Sequence, residues 1–203
     1  MLTIALTGGI ATGKSTLAKL LIELAPGTVI FDCDACVHEL LTSREVVANI
    51  AMSLEQDLGS ADSTLNRSRL RELVFAQAEH RKTLEGILHP LVRTACLAAR
   101  QQARDSGAAA IFLADVPLLY ESGFPFDRDL DLVVACSPAI QRSRLMARSG
   151  FAPDLADQII AAQLPIAEKM ARADVVLWNG SAPGSLRRQT EHFLLWLKNK
   201  IRP

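Results

Sequence analysis

Gly8, Gly9, Gly13, Lys14 and Ser15 are the residues whose types and spacing most directly imply chemistry. They lie in Gly8-Gly9-Ile10-Ala11-Thr12-Gly13-Lys14-Ser15, which fits the phosphate-loop pattern G-x-x-x-x-G-K-[ST] at every constrained position. The glycines let the backbone take positive φ and approach a ligand closely. Successive N–H groups, those of Ile10, Ala11 and Thr12 included, can then face one anion at a helix N-terminus. Lys14 would bring a mobile ammonium to β- and γ-phosphates, the Ser15 hydroxyl would ligate Mg²⁺, and Thr16 would support the α-phosphate. This is a site for a nucleoside triphosphate such as ATP with Mg²⁺. A glycine-rich turn with a surface lysine would need none of the flanking pattern.

The flanks agree with the motif. Leu2-Thr3-Ile4-Ala5-Leu6 is an apolar, β-branched run that predicts a strand, and Thr16 to Leu24 has a helix former at nearly every place. After the turn Ala25-Pro26-Gly27, Thr28-Val29-Ile30-Phe31 predicts a second strand ending at Asp32. Asp32 and Asp34 thus stand at a strand's carboxyl end, where open α/β sheets place their ligands. One of them is expected to cap the following helix, and both could reach the site if the extended conformation persists past Asp32. Ala108 to Asp115 is an apolar run closing on an acid, the form of a buried parallel strand whose carboxylate stands behind a metal. Asp115 is therefore the third candidate metal residue beside Ser15 and Asp32.

The stretch from Ala35 to about Leu88 reads as helical, with polar breaks at Thr42-Ser43-Arg44 and at Leu58 to Ser63. Arg67, Arg69, Arg71, Arg81 and Arg93 make it locally basic, which suits a phosphorylated acceptor or a solvated helix face. His89-Pro90 is expected to break the helix, with His89 a contact or a structural residue. Pro117, Leu118 and Tyr120 lie in a segment able to wall an acceptor pocket. Ser137-Pro138 looks like a helix start, and Arg142, Arg144 and Arg148 follow it. Two helices reaching Ala171 would form a hairpin whose arginines cover a γ-phosphate and exclude water. Asp174 to Trp178 predicts the last strand, Asn179-Gly180-Ser181 a loop, and Leu186 to Ile201 the closing helix. This alternation predicts an α/β fold with a doubly wound, mainly parallel sheet.

The 203 residues suit a single domain over 1–203, with an inserted helical acceptor region at 35–98 and a lid at 139–171. Lys and Arg number 22 against 22 Asp and Glu, so nothing draws the whole chain to nucleic acid or an anionic membrane. The start shows no basic, apolar leader, and no apolar run approaches membrane-spanning length, so a cytoplasmic setting is expected. The cysteines at 33, 36, 96 and 136 read as reduced thiols. Cys33 and Cys36 have C-x-x-C spacing, but with no second pair they read as ordinary small side chains at a helix start.

The sequence resembles the bacterial dephospho-CoA kinase family almost from end to end. The resemblance rests on Leu6-Thr7-Gly8-Gly9-Ile10, Asp32-x-Asp34, Leu88-His89-Pro90-Leu91-Val92, Asp115-Val116-Pro117-Leu118-Leu119-Tyr120-Glu121-Ser122-Gly123, and the tail from Arg144 to Asn179 with Gln163, Lys169 and Ala173-Asp174-Val175-Val176. It implies transfer of the γ-phosphoryl of ATP to the ribose 3′-hydroxyl of dephospho-CoA, the last step of coenzyme A synthesis. It also implies a nucleoside monophosphate kinase-like phosphate-loop fold with core, acceptor and lid regions. By motif, Lys14 and Ser15 hold phosphate and magnesium, Asp34 is the general base, Arg144 is the lid arginine, and Asp32 supports the metal or the base. Arg148 and Asn179 join the nucleotide side, and His89, Pro117, Leu118 and Tyr120 the acceptor side. The partner implied is a small-molecule substrate, with a monomer or weak homo-oligomer. Cys33 replaces a small residue usual between the acids, Trp178 replaces an acid common before Asn179, and Leu54 to Asn66 matches weakly. A nucleoside monophosphate kinase would share most of these features and differ in its acceptor lobe. A non-catalytic nucleotide switch would not need two acids and an arginine hairpin.

Overall fold

Apolar runs of four to seven residues between helical segments form the strands of one sheet. The computed structural model describes residues 1–58 and 66–201. The strands are β1 (Leu2–Gly8), β2 (Thr28–Asp32), β3 (Ile111–Asp115), β4 (Leu130–Ala135) and β5 (Val175–Trp178), in the spatial order β2-β3-β1-β4-β5. Central β1 pairs in parallel with β3 and with β4, and β4 pairs in parallel with β5. β3 and β4 flank β1 on opposite sides, so the chain reverses its winding direction there. The carboxyl end of β1 is thus the crevice in which open α/β sheets bind ligands.

Helices cover both faces, which is why the central strands are buried at nearly every position rather than at alternate ones. Leu17 and Leu21 of α1 (Lys14–Leu24) and Phe193, Leu194 and Leu197 of α10 (Ser185–Ile201) join Ile4, Leu6, Leu113, Leu132 and Val134 in one buried cluster.

The chain forms two compact units, 1–31 with 100–203, and 32–99. The second has its own core of Ile50, Leu54, Leu58, Leu70, Leu73 and Leu88. These residues come from α3 (Arg44–Leu54), α4 (Arg67–Ala76) and α5 (Ala78–Asp105) and the turn after α3, behind the short α2 (Cys33–Leu40). The break expected at Thr42 to Arg44 is present between α2 and α3. Of the second expected break, residues 59–63 lie outside the described residues.

Four expectations are corrected. His89-Pro90 does not end a helix: α5 runs through Pro90 for 28 residues. Proline removes one N–H and crowds the carbonyl four residues back, here that of Gly86, and this local cost is outweighed by the burial of Leu88 and Val92 on either side. The chain instead interrupts its helices at Gln77, between α4 and α5. The lid is not a two-helix hairpin, since α7 (Pro138–Ser149) and α8 (Pro153–Ala161) are followed by a turn at residues 162–165 and a separate α9 (Ile166–Arg172). Pro165 accounts for the interruption, because it cannot continue a helix through its own N–H. Finally, residues 108–110 precede β3, and Leu119–Ser122 form a one-turn helix, α6, where a loop was expected.

Candidate active site

The phosphate loop is shaped by contacts that only glycine permits. A Cβ on Gly8 would lie 2.6 Å from the Val134 carbonyl, and one on Gly13, whose φ is +102°, would lie 2.0 Å from Nδ2 of Asn179. Thr12 is fully buried; its Oγ1 donates to the Gly9 carbonyl at 2.8 Å and folds the loop back on itself. Asn179 leaves β5 and donates Nδ2 to the Thr12 carbonyl at 2.9 Å. The main chain of Trp178 is held by the Gln189 amide at 2.9 and 2.8 Å, so the loop after β5 is anchored before Asn179 reaches across. The carbonyl of Gly13 accepts the N–H groups of Thr16 and Leu17, both at 3.0 Å, and starts α1. No acidic side chain occupies the first turn of α1, so Lys14, Ser15 and Thr16 open a helix N-terminus suited to an anion.

Sheet register brings an acid to the loop. Leu6 is paired with Asp115, and two residues further on Gly8 opens the loop, so β1 and β3 deliver lysine and carboxylate at one edge. Lys14 Nζ lies 2.5 Å from Asp115 Oδ1, with both side chains largely buried. Among the described residues no group of three or more His, Cys, Asp and Glu side chains is gathered for a metal. Mg²⁺ does not require one, since it usually takes one or two carboxylates and completes its shell with phosphate and water. Ser15 and Asp115 fit that demand.

Arg144 and Arg148 lie one turn apart on α7, whose start is capped by Ser137 and set by Pro138. Arg144 is half-buried beside the Cys136 thiol, and its Nη1 is buried with no hydrogen-bond partner. A buried guanidinium N–H without an acceptor is costly, and a phosphate oxygen would satisfy it. Burial pushes the Cys136 thiol up, and Arg144 partly opposes the shift. Arg148 is exposed. Arg142 is already occupied in bridging α7 to α8, with Nε 2.7 Å from Asp157 Oδ1.

Asp32 and Asp34 begin the other unit. Asp32 Oδ1 accepts the Ala35 N–H at 3.0 Å, so Asp32 is the capping acid and Asp34 stands in the first turn of α2. The extended conformation therefore stops at Asp32, and the alternation that would place both acids on one strand face does not apply. The cap prevails because it turns the chain helical at Cys33. Cys33 is buried, and burial, followed by the Glu39 charge, pushes the Cys36 thiol up, the opposite of a reactive redox pair. His89 is half-buried within α5.

The segment after β3 carries groups whose use the sequence does not reveal. The Pro117 carbonyl accepts from Thr7 Oγ1 at 3.1 Å and from Lys169 Nζ at 3.1 Å, while Leu118 is exposed. The Tyr120 hydroxyl is buried next to Asp131, and its ring lies under the Arg172 guanidinium at 5.7 Å. Both Asp131 oxygens accept from Arg128, and the phenol makes no well-formed hydrogen bond. Burial first, then the Asp131 charge, raises its pKa strongly. Sequence reasoning assigned no role to Lys169, Glu121 or Gln163. Lys169 is completely buried, 2.7 Å from Glu121, and the Gln163 Oε1 accepts the Ile10 N–H at 2.8 Å. The available signal was a lysine on the stripe Ile166, Lys169, Met170, Ala173, where helical spacing calls for an apolar residue.

Comparison with known proteins converges on one family. The dephospho-CoA kinase family model matches residues 2–183. A relative of that name from Geobacillus kaustophilus is 40% identical over 193 residues, covering 93% of this chain and 92% of its own. Another from Anaeromyxobacter dehalogenans is 41% identical over 201 residues, covering 98% and 93%. A crystal structure from Thermus thermophilus superposes with a TM-score of 0.80 at 31% identity, covering 97% of each chain. A shikimate kinase from Acinetobacter baumannii, at 17% identity and TM-score 0.53 with 100% and 96% covered, shares the fold. The phosphate loop, the Asp115 strand and the full-length match agree: the chain belongs to the dephospho-CoA kinase family and is an ATP-dependent phosphotransferase of the final step of coenzyme A synthesis.

Proposed function

We propose the following division of labour for phosphoryl transfer to the ribose 3′-hydroxyl of dephospho-CoA. The loop amides between Gly8 and Thr16 that Gln163 and the loop's own carbonyls leave free cradle the phosphates of ATP, and Lys14 follows the charge that develops on the transferred group. Positioning and charge stabilisation carry most of this reaction, because the protein forms no bond to phosphorus. Arg144 supplies a second cation from the lid, with Arg148 beside it, and closure excludes water. The observation that best supports this is the buried, unpartnered Arg144 Nη1, a cationic donor that a phosphate oxygen would satisfy. Mg²⁺, when bound, neutralises phosphate charge; Ser15 and Asp115 would hold it, with Asp32 in support.

Asp34 is the general base that accepts or orients the 3′-hydroxyl proton, the role its motif implies, and the helical region 35–98 with His89 serves the acceptor. The region 139–171 is the lid. Asn179 contributes to the nucleotide side by holding Thr12 and Gly13 in shape. The enzyme works in the cytoplasm on a small-molecule acceptor, as a monomer or weak homo-oligomer. A coupled ADP-release assay with dephospho-CoA against AMP, CMP and UMP tests this reading. Turnover confined to dephospho-CoA and dependent on Mg²⁺ is expected, and preference for a nucleoside monophosphate would overturn it.

A further inference from the structure

The Lys169 ammonium has three donors and three neighbours to receive them. Its Nζ lies 2.7 Å from Glu121 Oε1, 3.1 Å from the Pro117 carbonyl and 3.5 Å from the Gly8 carbonyl, and the side chain has no solvent exposure. Glu121 Oε1 also accepts the Leu164 N–H at 3.0 Å, and Gln163, next in the chain, accepts the Ile10 N–H of the phosphate loop at 2.8 Å. A short segment around α9 therefore touches the loop twice, at its first peptide through a charge and at its third residue through an amide. A buried ion pair is no better for stability than apolar side chains of the same volume, and leucine or methionine at 169 would fill the space without desolvating a charge. What an apolar side chain could not do is orient carbonyls. C=O and N–H point in opposite directions across a trans peptide, so holding the Gly8 carbonyl toward Lys169 directs the Gly9 N–H away from the ammonium. Gln163 fixes the next amide by taking the Ile10 N–H.

We infer that Lys169 and Gln163 are positioning residues for the phosphate loop, with Glu121 as the counter-charge that holds Lys169 in place. They set the entry of the loop before any nucleotide arrives, and their effect falls on phosphate binding rather than on the acceptor. Both act through the loop backbone, without contact to the reacting atoms. The inference depends on the loop binding ATP and not on the roles given above to Asp34 or Arg144.

The test uses Lys169→Met, the Lys169→Met/Glu121→Gln double variant, and Gln163→Ala in the full chain. It reads melting temperature, ATP and ADP affinity by calorimetry, dephospho-CoA affinity, and kcat. Lys169→Met alone should melt lower, because Glu121 is left beside a hydrophobic group. The double variant should recover the melting temperature yet bind ATP and ADP about tenfold more weakly, the scale of one charge-assisted hydrogen bond, with dephospho-CoA affinity unchanged. Gln163→Ala should weaken ATP binding in the same direction with little change in melting. Recovery of both stability and nucleotide affinity in the double variant would make the pair purely structural and overturn the inference, as would equal weakening of nucleotide and acceptor. Should the double variant fail to fold, parent-like ATP affinity in Gln163→Ala overturns it alone. Failure of every variant and of the parent to bind ATP would instead count against the loop as a nucleotide site.

Discussion

Asn179 Nδ2 donates to the Thr12 carbonyl at 2.9 Å and presses so closely on Gly13 that a Cβ there would lie 2.0 Å from it. Two penalties therefore meet at Gly13→Ala, a left-handed φ of +102° that costs an L-residue about 1–2 kcal/mol and a clash with a held amide. Gly13→Ala should lose measurable ATP binding. Adding Asn179→Ala should relieve the clash but not the φ cost, restoring stability only in part; calorimetry and melting of the single and double variants check this.

Lys14→Ala should leave a folded protein with kcat reduced by about two orders of magnitude or more, because a preorganised cation at developing charge contributes several kcal/mol. The same change removes the partner that Asp115 has at 2.5 Å. A soluble variant turning over ATP near the parent rate would refute the assignment.

Arg144→Ala should lower kcat more than it weakens ATP binding, and should hardly change the melting temperature, since Arg144 Nη1 satisfies no acceptor here. Loss of ATP affinity with kcat retained would make the contact a uniform binding one.

The two acids can be separated through the cap. Asp32→Asn keeps a good capping side chain for the Ala35 N–H and removes only the charge, whereas Asp32→Ala should cost about 1 kcal/mol of stability. Asp32→Asn should raise the Mg²⁺ requirement, and Asp34→Asn should cut kcat by roughly 10²–10⁴ with ATP binding nearly intact. If excess Mg²⁺ rescues Asp34→Asn and not Asp32→Asn, the roles are exchanged.

Burial of the Tyr120 hydroxyl beside Asp131 raises its folded pKa above the unfolded value near 10. The raised value leaves stability complete below pH 10 and erodes it above, where the unfolded chain loses a proton that the native state retains. Tyr120→Phe should remove this part of the alkaline loss while changing stability little at pH 7, as denaturant melts at pH 7 and above pH 10 will reveal.

The loop, the strands and the class of chemistry were legible along the chain, because these are local. G-x-x-x-x-G-K-S carries its own backbone requirements, and buried parallel strands are short apolar runs whatever they pair with. The sequence also marked Asp115 as a strand-ending acid, although only the register of β1 with β3 placed that acid 2.5 Å from Lys14. Tertiary structure decided what local rules misjudged. Pro90 reads as a stop, yet packing of Leu88 and Val92 outweighs one missing hydrogen bond. That one of Asp32 and Asp34 caps the next helix was legible, but only the fold shows that it is Asp32 and that the extended conformation ends there. Helical spacing can mark Lys169 as a lysine on an apolar stripe, but its contacts with Glu121, Pro117 and Gly8 lie 48, 52 and 161 residues away along the chain, a separation over which side-chain periodicity carries no information.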